Sequence, residues 1–364
     1  MSRRIIIIQP SLRVYRMDFF NRLAHHFGGE FKVYASLTDH DALTRSSEDA
    51  PWAYMLPPIR SLRFGADWQP GALSIALARG DIIVVCGGPR TLSTLMVLLK
   101  ARMKGATTIW WGHFWSSTSV QWRHRLRLRL MRLADAVLFY TDAEVEEFRA
   151  QGWSHHGPIH ALNNGLDLVP IRAQRSIYCT NQRSRAVLFI GRLREECGLD
   201  LLFQSLTRIE DRTISVHVIG SGVLEPALKA QARELGVSEQ IIWHGGTTDE
   251  YVISSIANQC VLFVYPGSVG LSLIHGMAYG LPCIVHNDRS KHGPEIAAFE
   301  NNGTGRSFIR NNPSDLARVL SKLINDDESL NRFSRRCVEV TDQTFNTDDM
   351  AKRFSALITK IRKY

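Results

Sequence analysis

The chain has 364 residues, 45% hydrophobic and 22% charged, enough for two α/β domains with separate cores and far from the composition of a disordered polypeptide. Lys and Arg outnumber Asp and Glu by 44 to 35, with about two thirds of the excess before residue 168; this suits an anionic partner without separating nucleic acid, lipid surface and phosphorylated substrate. Cys86, Cys179, Cys197, Cys260, Cys283 and Cys337 have no Cys-x-x-Cys pair or metal-ligand spacing and read as mostly buried thiols in a reducing, cytoplasmic compartment.

Ile5 to Ile8 follows Ser2-Arg3-Arg4 like the front of a signal peptide, but Gln9-Pro10 ends the run short of an h-region, so it reads as a first buried strand. No window approaches the roughly 18 apolar residues of a membrane span. Arg13 and Arg16 lie in the loop that follows, and Phe19, Phe20, Leu23 and Phe27 give residues 17–27 the apolar side of a helix. Strands are expected over 31–36, 81–86, 107–111 and 136–140. Between them the near-wholly apolar residues 91–100 predict a buried helix. Asp39 and Asp41 flank His40 in a segment that reads as a solvated loop. The run Trp122 to Arg132 alternates Arg and Leu. As a helix it places Leu126, Leu130 and Leu133 together and offers its arginines to anionic lipid or to solvent. Thr141 with Glu144 predicts a capped helix. This strand and helix alternation is the mark of a parallel sheet covered on both faces.

Residues 168–185 lose periodicity and read as a hinge. Strands return at 186–190, 215–219, 241–243, 261–265 and 283–286, the first running into Gly191-Arg192-Leu193, the second into Gly220-Ser221-Gly222, the third into His244-Gly245-Gly246. Residues 261–288 read as strand, glycine loop (Ser268, Val269, Gly270), helix from Leu271, and strand. Such a loop lies where an open α/β sheet binds ligands, and amides at a helix start suit an anion. Helices are expected from Leu316 and over 348–364, where Met350, Phe354, Leu357 and Ile361 recur at helical intervals.

Gly270-Leu271 and Gly276-Met277-Ala278-Tyr279-Gly280-Leu281-Pro282, with Gly191-Arg192-Leu193 upstream, resemble the donor-site signature of retaining GT-B glycosyltransferases of the family 4 type. Gly267 and His275 stand at the two positions where that family carries glutamates, and Cys197 stands at its lysine. The resemblance implies an α/β GT-B fold of two Rossmann-like domains across a cleft. Residues 1–167 would hold the acceptor and residues 186–345 the nucleotide sugar, with 346–364 crossing back to the first domain. It also implies roles: Arg192 on the diphosphate, with Arg194, Arg289 or Lys291 replacing the missing lysine charge; Gly191, Gly220 and Gly222 beside the phosphates; His244 and Gly245 at the base; Ser268, Val269, Gly270 and Leu271 offering amides to phosphate; His275 on the ribose; Glu295 beneath the site. His113 would reach the donor sugar, with Arg13 and Arg16 on the acceptor side. The implied reaction moves a sugar from a nucleotide-diphosphate sugar to a glycan or lipid-linked glycan, without a metal or other cofactor, in contact with the inner face of the membrane. Three rivals remain: a sugar-nucleotide epimerase or hydrolase on the same frame, a degenerate transferase serving as a scaffold, and, least favoured, a nucleic-acid binder, for which no stacking module is present.

Overall fold

The computed structural model describes residues 4–37, 50–88, 90–115 and 121–362. The chain divides into unit 1, residues 1–163 with 347–364, and unit 2, residues 164–346.

Unit 1 opens with β1 (Ile5–Gln9), α1 (Met17–Phe27), β2 (Phe31–Ser36) and β3 (Ala53–Leu56), followed by a two-residue antiparallel pair, β4 (Arg60–Ser61) and β5 (Asp67–Trp68). It continues through β6 (Ile82–Cys86), α2 (Leu92–Met103), β7 (Thr107–Trp111), α3 (Gln121–Met131), β8 (Ala136–Phe139), α4 (Asp142–Ala150) and β9 (Ile159–Ala161). Seven parallel strands run in the order β3-β2-β1-β6-β7-β8-β9. Side chains alternate across the sheet with period two. Ile5, Ile7, Val33, Val84, Ile109 and Trp111 share one core cluster with Phe19 and Phe20 of α1 and with Phe354 of the C-terminal helix, Thr347–Arg362. Ile6, Ile8, Val85, Trp110 and Phe139 share the other with residues of α2, α3 and α4.

Two expectations about helix faces are corrected here. α2 is not buried all round: Leu92, Met96, Leu99 and Met103 are exposed, one stripe at intervals of three and four residues. In α3 the buried side chains are Arg127, Leu128 and Met131, while Leu126 is exposed, as is Leu133 beyond the helix end. The alternating Arg/Leu pattern carries almost no helical bias, so packing against the sheet chose the face.

Unit 2 comprises α5 (Val169–Gln174), β10 (Ala186–Ile190), α6 (Leu199–Leu206), β11 (Ser215–Ile219), α7 (Glu225–Glu234), β12 (Ile241–Gly245), α8 (Glu250–Ala257) and β13 (Leu262–Tyr265). After these come α9 (Leu271–Ala278), β14 (Cys283–His286), β15 (Gly305–Phe308), α10 (Pro313–Ile324) and α11 (Asp327–Gln343). The parallel strand order is β12-β11-β10-β13-β14-β15. The stretch expected as a hinge is packed structure: Leu168 and Ile171 enter the core, and the Arg183 guanidinium donates to the Ala257 and Cys260 carbonyls at 3.1 and 2.8 Å. Its arginines are engaged with backbone and side-chain acceptors, which a periodicity reading does not register. Among the described residues no helix is long and apolar enough to cross a membrane.

Candidate functional site

In unit 2 the strand order turns back at β10, with β11 on one side and β13 on the other. Crevices for ligands form at the carboxyl ends of strands flanking such a point. Three of the loops there interlock so closely that side chains are excluded. A Cβ on Gly220 would lie 1.9 Å from the Gly191 carbonyl oxygen, and one on Gly222 2.3 Å from that of Leu193. Gly191 donates to Ile219 at 3.0 Å and Gly220 to the Gly245 carbonyl at 2.8 Å. Gly245, at φ +73°, takes the left-handed conformation that favours glycine.

The loop after β13 is anchored from both sides. The Gly267 and Ser268 amides donate to the Cys197 and Glu196 carbonyls at 3.2 and 2.8 Å, and the Val269 amide to His292 Nδ1 at 3.2 Å. This corrects the assignment of Ser268 and Val269 as phosphate-facing amides, since both N–H groups have acceptors within the unit and Val269 is wholly buried. What fits an anion is the start of α9 at Gly270, Leu271 and Ser272, where a helix leaves its first N–H groups without intrahelical acceptors. Glu295 is buried beside it: its Oε2 lies 3.6 Å from a Cβ built on Gly270, and its Oε1 accepts from Asn164 Nδ2.

Arg192 is exposed at the mouth of this edge. Tyr265, which ends β13, lies with its ring against Gly191. Burial pushes its hydroxyl up to about 12, and the charges of Arg194 and Arg192 pull against that rise. Both guanidiniums therefore act on the same ring, and the Arg194 amide donates to the Arg192 carbonyl at 3.1 Å. Position 197 itself holds a buried thiol, which burial raises further.

His275 faces a carboxylate that the motif gave no reason to expect. Its Nε2 lies 2.9 Å from Glu250 Oε1, and the Tyr279 hydroxyl donates to Glu250 Oε2 at 2.5 Å. Burial would raise the Glu250 carboxyl, but the hydrogen bond and charge of His275, with the Tyr279 hydroxyl, bring it below the usual range. A polar group thus stands at the family's second glutamate position with a carboxylate from α8 behind it. His244, expected at the base, has its Nε2 3.0 Å from His217 Nδ1, so its imidazole is engaged on the sheet surface.

In unit 1, His113 stacks on Tyr140 with ring centres 4.1 Å apart, and its Nδ1 lies 3.8 Å from Glu144 Oε1. Glu144 is fully buried and accepts from the Phe114, Tyr140 and Thr141 amides at 2.9, 2.9 and 3.0 Å, tying the loops after β7 and β8 together. Arg13 is partly buried, and its carbonyl accepts the Arg16 amide at 2.9 Å. Arg16 is buried against Trp111. Asp39, His40 and Asp41 lie outside the described residues.

Residues 171–338 match the family model described as Glycosyl transferases group 1. The lipopolysaccharide 1,6-galactosyltransferase of Salmonella typhimurium is 26% identical over 196 residues, 51% of each chain. The O-antigen chain mannosyltransferase C of Escherichia coli is 26% identical over 192 residues, 48% of this chain and 46% of the relative. The chain spans about half the length of these curated relatives. Among solved structures, HepE of Anabaena in complex with UDP and glucose superposes with a TM-score of 0.69 at 14% identity, covering 98% of this chain and 100% of that one. The fold is α/β GT-B.

Proposed function

We propose that the chain is a retaining glycosyltransferase that moves a sugar from a nucleotide-diphosphate sugar to a polysaccharide or lipid-linked glycan. The observation that carries this reading is the carboxyl edge of unit 2. There Gly191, Gly220 and Gly222 bring backbone close together, Arg192 and Arg194 flank Tyr265, and α9 starts at Gly270, all within the segment that matches the glycosyltransferase family. In this reading the guanidiniums and the first amides of α9 hold the diphosphate and take up the charge that grows as the sugar–phosphate bond breaks. The acceptor hydroxyl attacks from the side the phosphate leaves, and that phosphate takes its proton. His275, backed by Glu250, hydrogen-bonds the ribose. The names of the relatives support lipopolysaccharide or O-antigen glycans as the acceptor class, and UDP in the HepE complex supports a nucleotide-diphosphate donor. No resident cofactor has a part in the scheme.

A calorimetric screen of the full chain against nucleotide-diphosphate sugars tests the reading, with sugar transfer to rough lipopolysaccharide followed by mass spectrometry. One donor is expected to bind, and Arg192→Ala to lower kcat/KM at least tenfold, about 1.4 kcal/mol. An unchanged rate removes Arg192 from the clamp. Donor cleavage at full rate without acceptor makes the chain a hydrolase.

A further inference from the structure

The carboxyl corner of the unit 1 sheet gathers buried polar side chains. The sheet order turns back between β1 and β6, so ligands are expected at this end of the strands. Strand alternation puts Gln9, Cys86 and Trp111, the last residues of β1, β6 and β7, on the face that carries Ile5, Val84 and Ile109, and Tyr140 packs against the same cluster. Arg16 covers this corner immediately before α1. Its guanidinium carbon lies 4.7 Å from the Trp111 ring centre and 5.6 Å from that of Tyr140, and the residue is only 8% exposed.

Three donors here are buried with no hydrogen-bond partner: Gln9 Nε2, Arg16 Nη1 and Trp111 Nε1. The acids on neighbouring elements are already engaged. Asp18 accepts from Arg22 and Thr347 at 2.6 and 2.5 Å, and Glu144 accepts the three backbone amides described above. Cys86 is held as the neutral thiol, burial pushing it up to about 11. A buried cation without a counter-charge costs several kcal/mol, and native interiors leave few buried donors unpaired. A corner of donors around one cation, beneath a helix amino end, repels a metal ion, and a neutral hydroxyl would accept from these donors but leave the cation without a counter-charge. The corner complements an oxyanion.

We propose that Arg16, Gln9 and Trp111 form a site for one phosphate or carboxylate group carried by the acceptor. The acceptor assignment rests on the transferase reading, in which the donor diphosphate has its own cations in unit 2; the oxyanion site itself does not. Acceptors that carry an acidic group would be selected over neutral ones.

The test titrates the full chain with inorganic phosphate and, separately, with a panel of nucleoside diphosphates, for wild type, Arg16→Lys and Arg16→Gln. Phosphate affinity is expected to fall at least tenfold in Arg16→Gln and less in Arg16→Lys, while nucleoside-diphosphate affinity stays within twofold. Equal phosphate affinity in wild type and Arg16→Gln overturns the site. A parallel loss of both ligands assigns the anion to the donor and overturns the acceptor claim. Phosphate bound through Arg16 with no nucleoside diphosphate bound supports the site and removes the transferase reading. Should Arg16→Gln not fold, the wild type answers alone: phosphate must shift the Trp111 indole N–H resonance, assigned through Trp111→Phe, and an unmoved resonance overturns the site.

Discussion

A Cβ built on Gly267 would lie 2.0 Å from the Glu196 carbonyl oxygen and 2.7 Å from the Cys197 carbonyl carbon. Both are backbone atoms of the turn that holds the loop, so nothing there can swing aside. Gly267→Glu, which would restore the family's carboxylate, is therefore expected to destabilise unit 2 by about 2 kcal/mol or more through overpacking, without a gain in transfer rate. The denaturation midpoint in urea checks it, and unchanged stability would show that the turn yields. The same loop hangs on a neutral histidine. His292 accepts the Val269 amide and stacks on His286 with ring centres 3.7 Å apart. Burial pushes His286 down to about 3 and lowers His292 as well. An unfolded histidine titrates near pH ~6.5, so between that pH and about 3 the unfolded chain takes up protons that the folded one does not. Stability is thus level above the unfolded value and falls as pH drops through this window. His286→Asn keeps an acceptor for the Asp288 amide and should narrow the difference in Tm between pH 7.5 and 5. An undiminished difference would assign the loss to the other lowered histidines, such as His155 and His160. The motif spacing named the residues at 267 and 275, but it carried no information on what approaches them. The Glu196 carbonyl and the Glu250 carboxylate arrive from elsewhere in the chain.

The parallel strands were the most legible elements, because strands covered on both faces read as short, largely apolar runs. Residues 31–36, 107–111, 186–190, 215–219 and 283–286 form strands at the expected bounds. The strands β3 and β9 were passed over: both lie at a sheet edge, with partly exposed and polar residues such as Tyr54 and His160. α11 was passed over although Leu330, Phe333, Cys337 and Val340 are buried at helical intervals. The exposed faces of α2 and α3 could be located only once the sheet was known. Both helices cover the same face of the unit 1 sheet, so their outward stripes look the same way. Met103 is 81% and Trp122 62% exposed, with Arg125 and Arg129 beside Trp122 and Leu126 in one shallow depression. Arg127 belongs to the core side instead, its Nη1 donating to the Phe114 carbonyl at 3.3 Å. Apolar side chains among arginines suit an anionic lipid surface, at about 1 kcal/mol per basic residue close to it. Replacing Arg125 and Arg129 by Gln is expected to weaken attachment to vesicles containing phosphatidylglycerol by roughly thirtyfold, about 2 kcal/mol, with nucleotide-sugar affinity unchanged. Sedimentation with vesicles checks this; equal binding by the variant leaves these arginines as solvated surface charge.

At the scale of the whole molecule, the two sheets follow from strand runs read in order, whereas the membership of the polar connections does not. Residues 168–185 were set apart for their polarity, yet Arg175 donates to the Ala278 carbonyl at 2.9 Å and to Asp342 at 3.1 Å, fastening the stretch into unit 2. The first and last described helices meet in unit 1. Met350, Phe354, Leu357 and Ile358 are buried in the cluster that contains Phe19 and Phe20, and the Phe19 and Phe354 rings meet edge to face at 6.2 Å. Losing Phe354 alone would cost about 3–5 kcal/mol by the usual price of a large buried aromatic. Losing all four exceeds a sizeable part of the roughly 5–15 kcal/mol that holds a domain folded. Unit 2 buries its own 55-residue cluster without any side chain from the terminal helix. A chain ending at Asn346 should therefore keep unit 2 folded and able to bind a nucleoside diphosphate, while β1 and α1 lose protection. Hydrogen exchange read peptide by peptide separates the outcomes. Protection retained in residues 5–27 would mean that the terminal helix only covers unit 1, and protection lost in residues 186–219 as well would mean that the units do not fold separately.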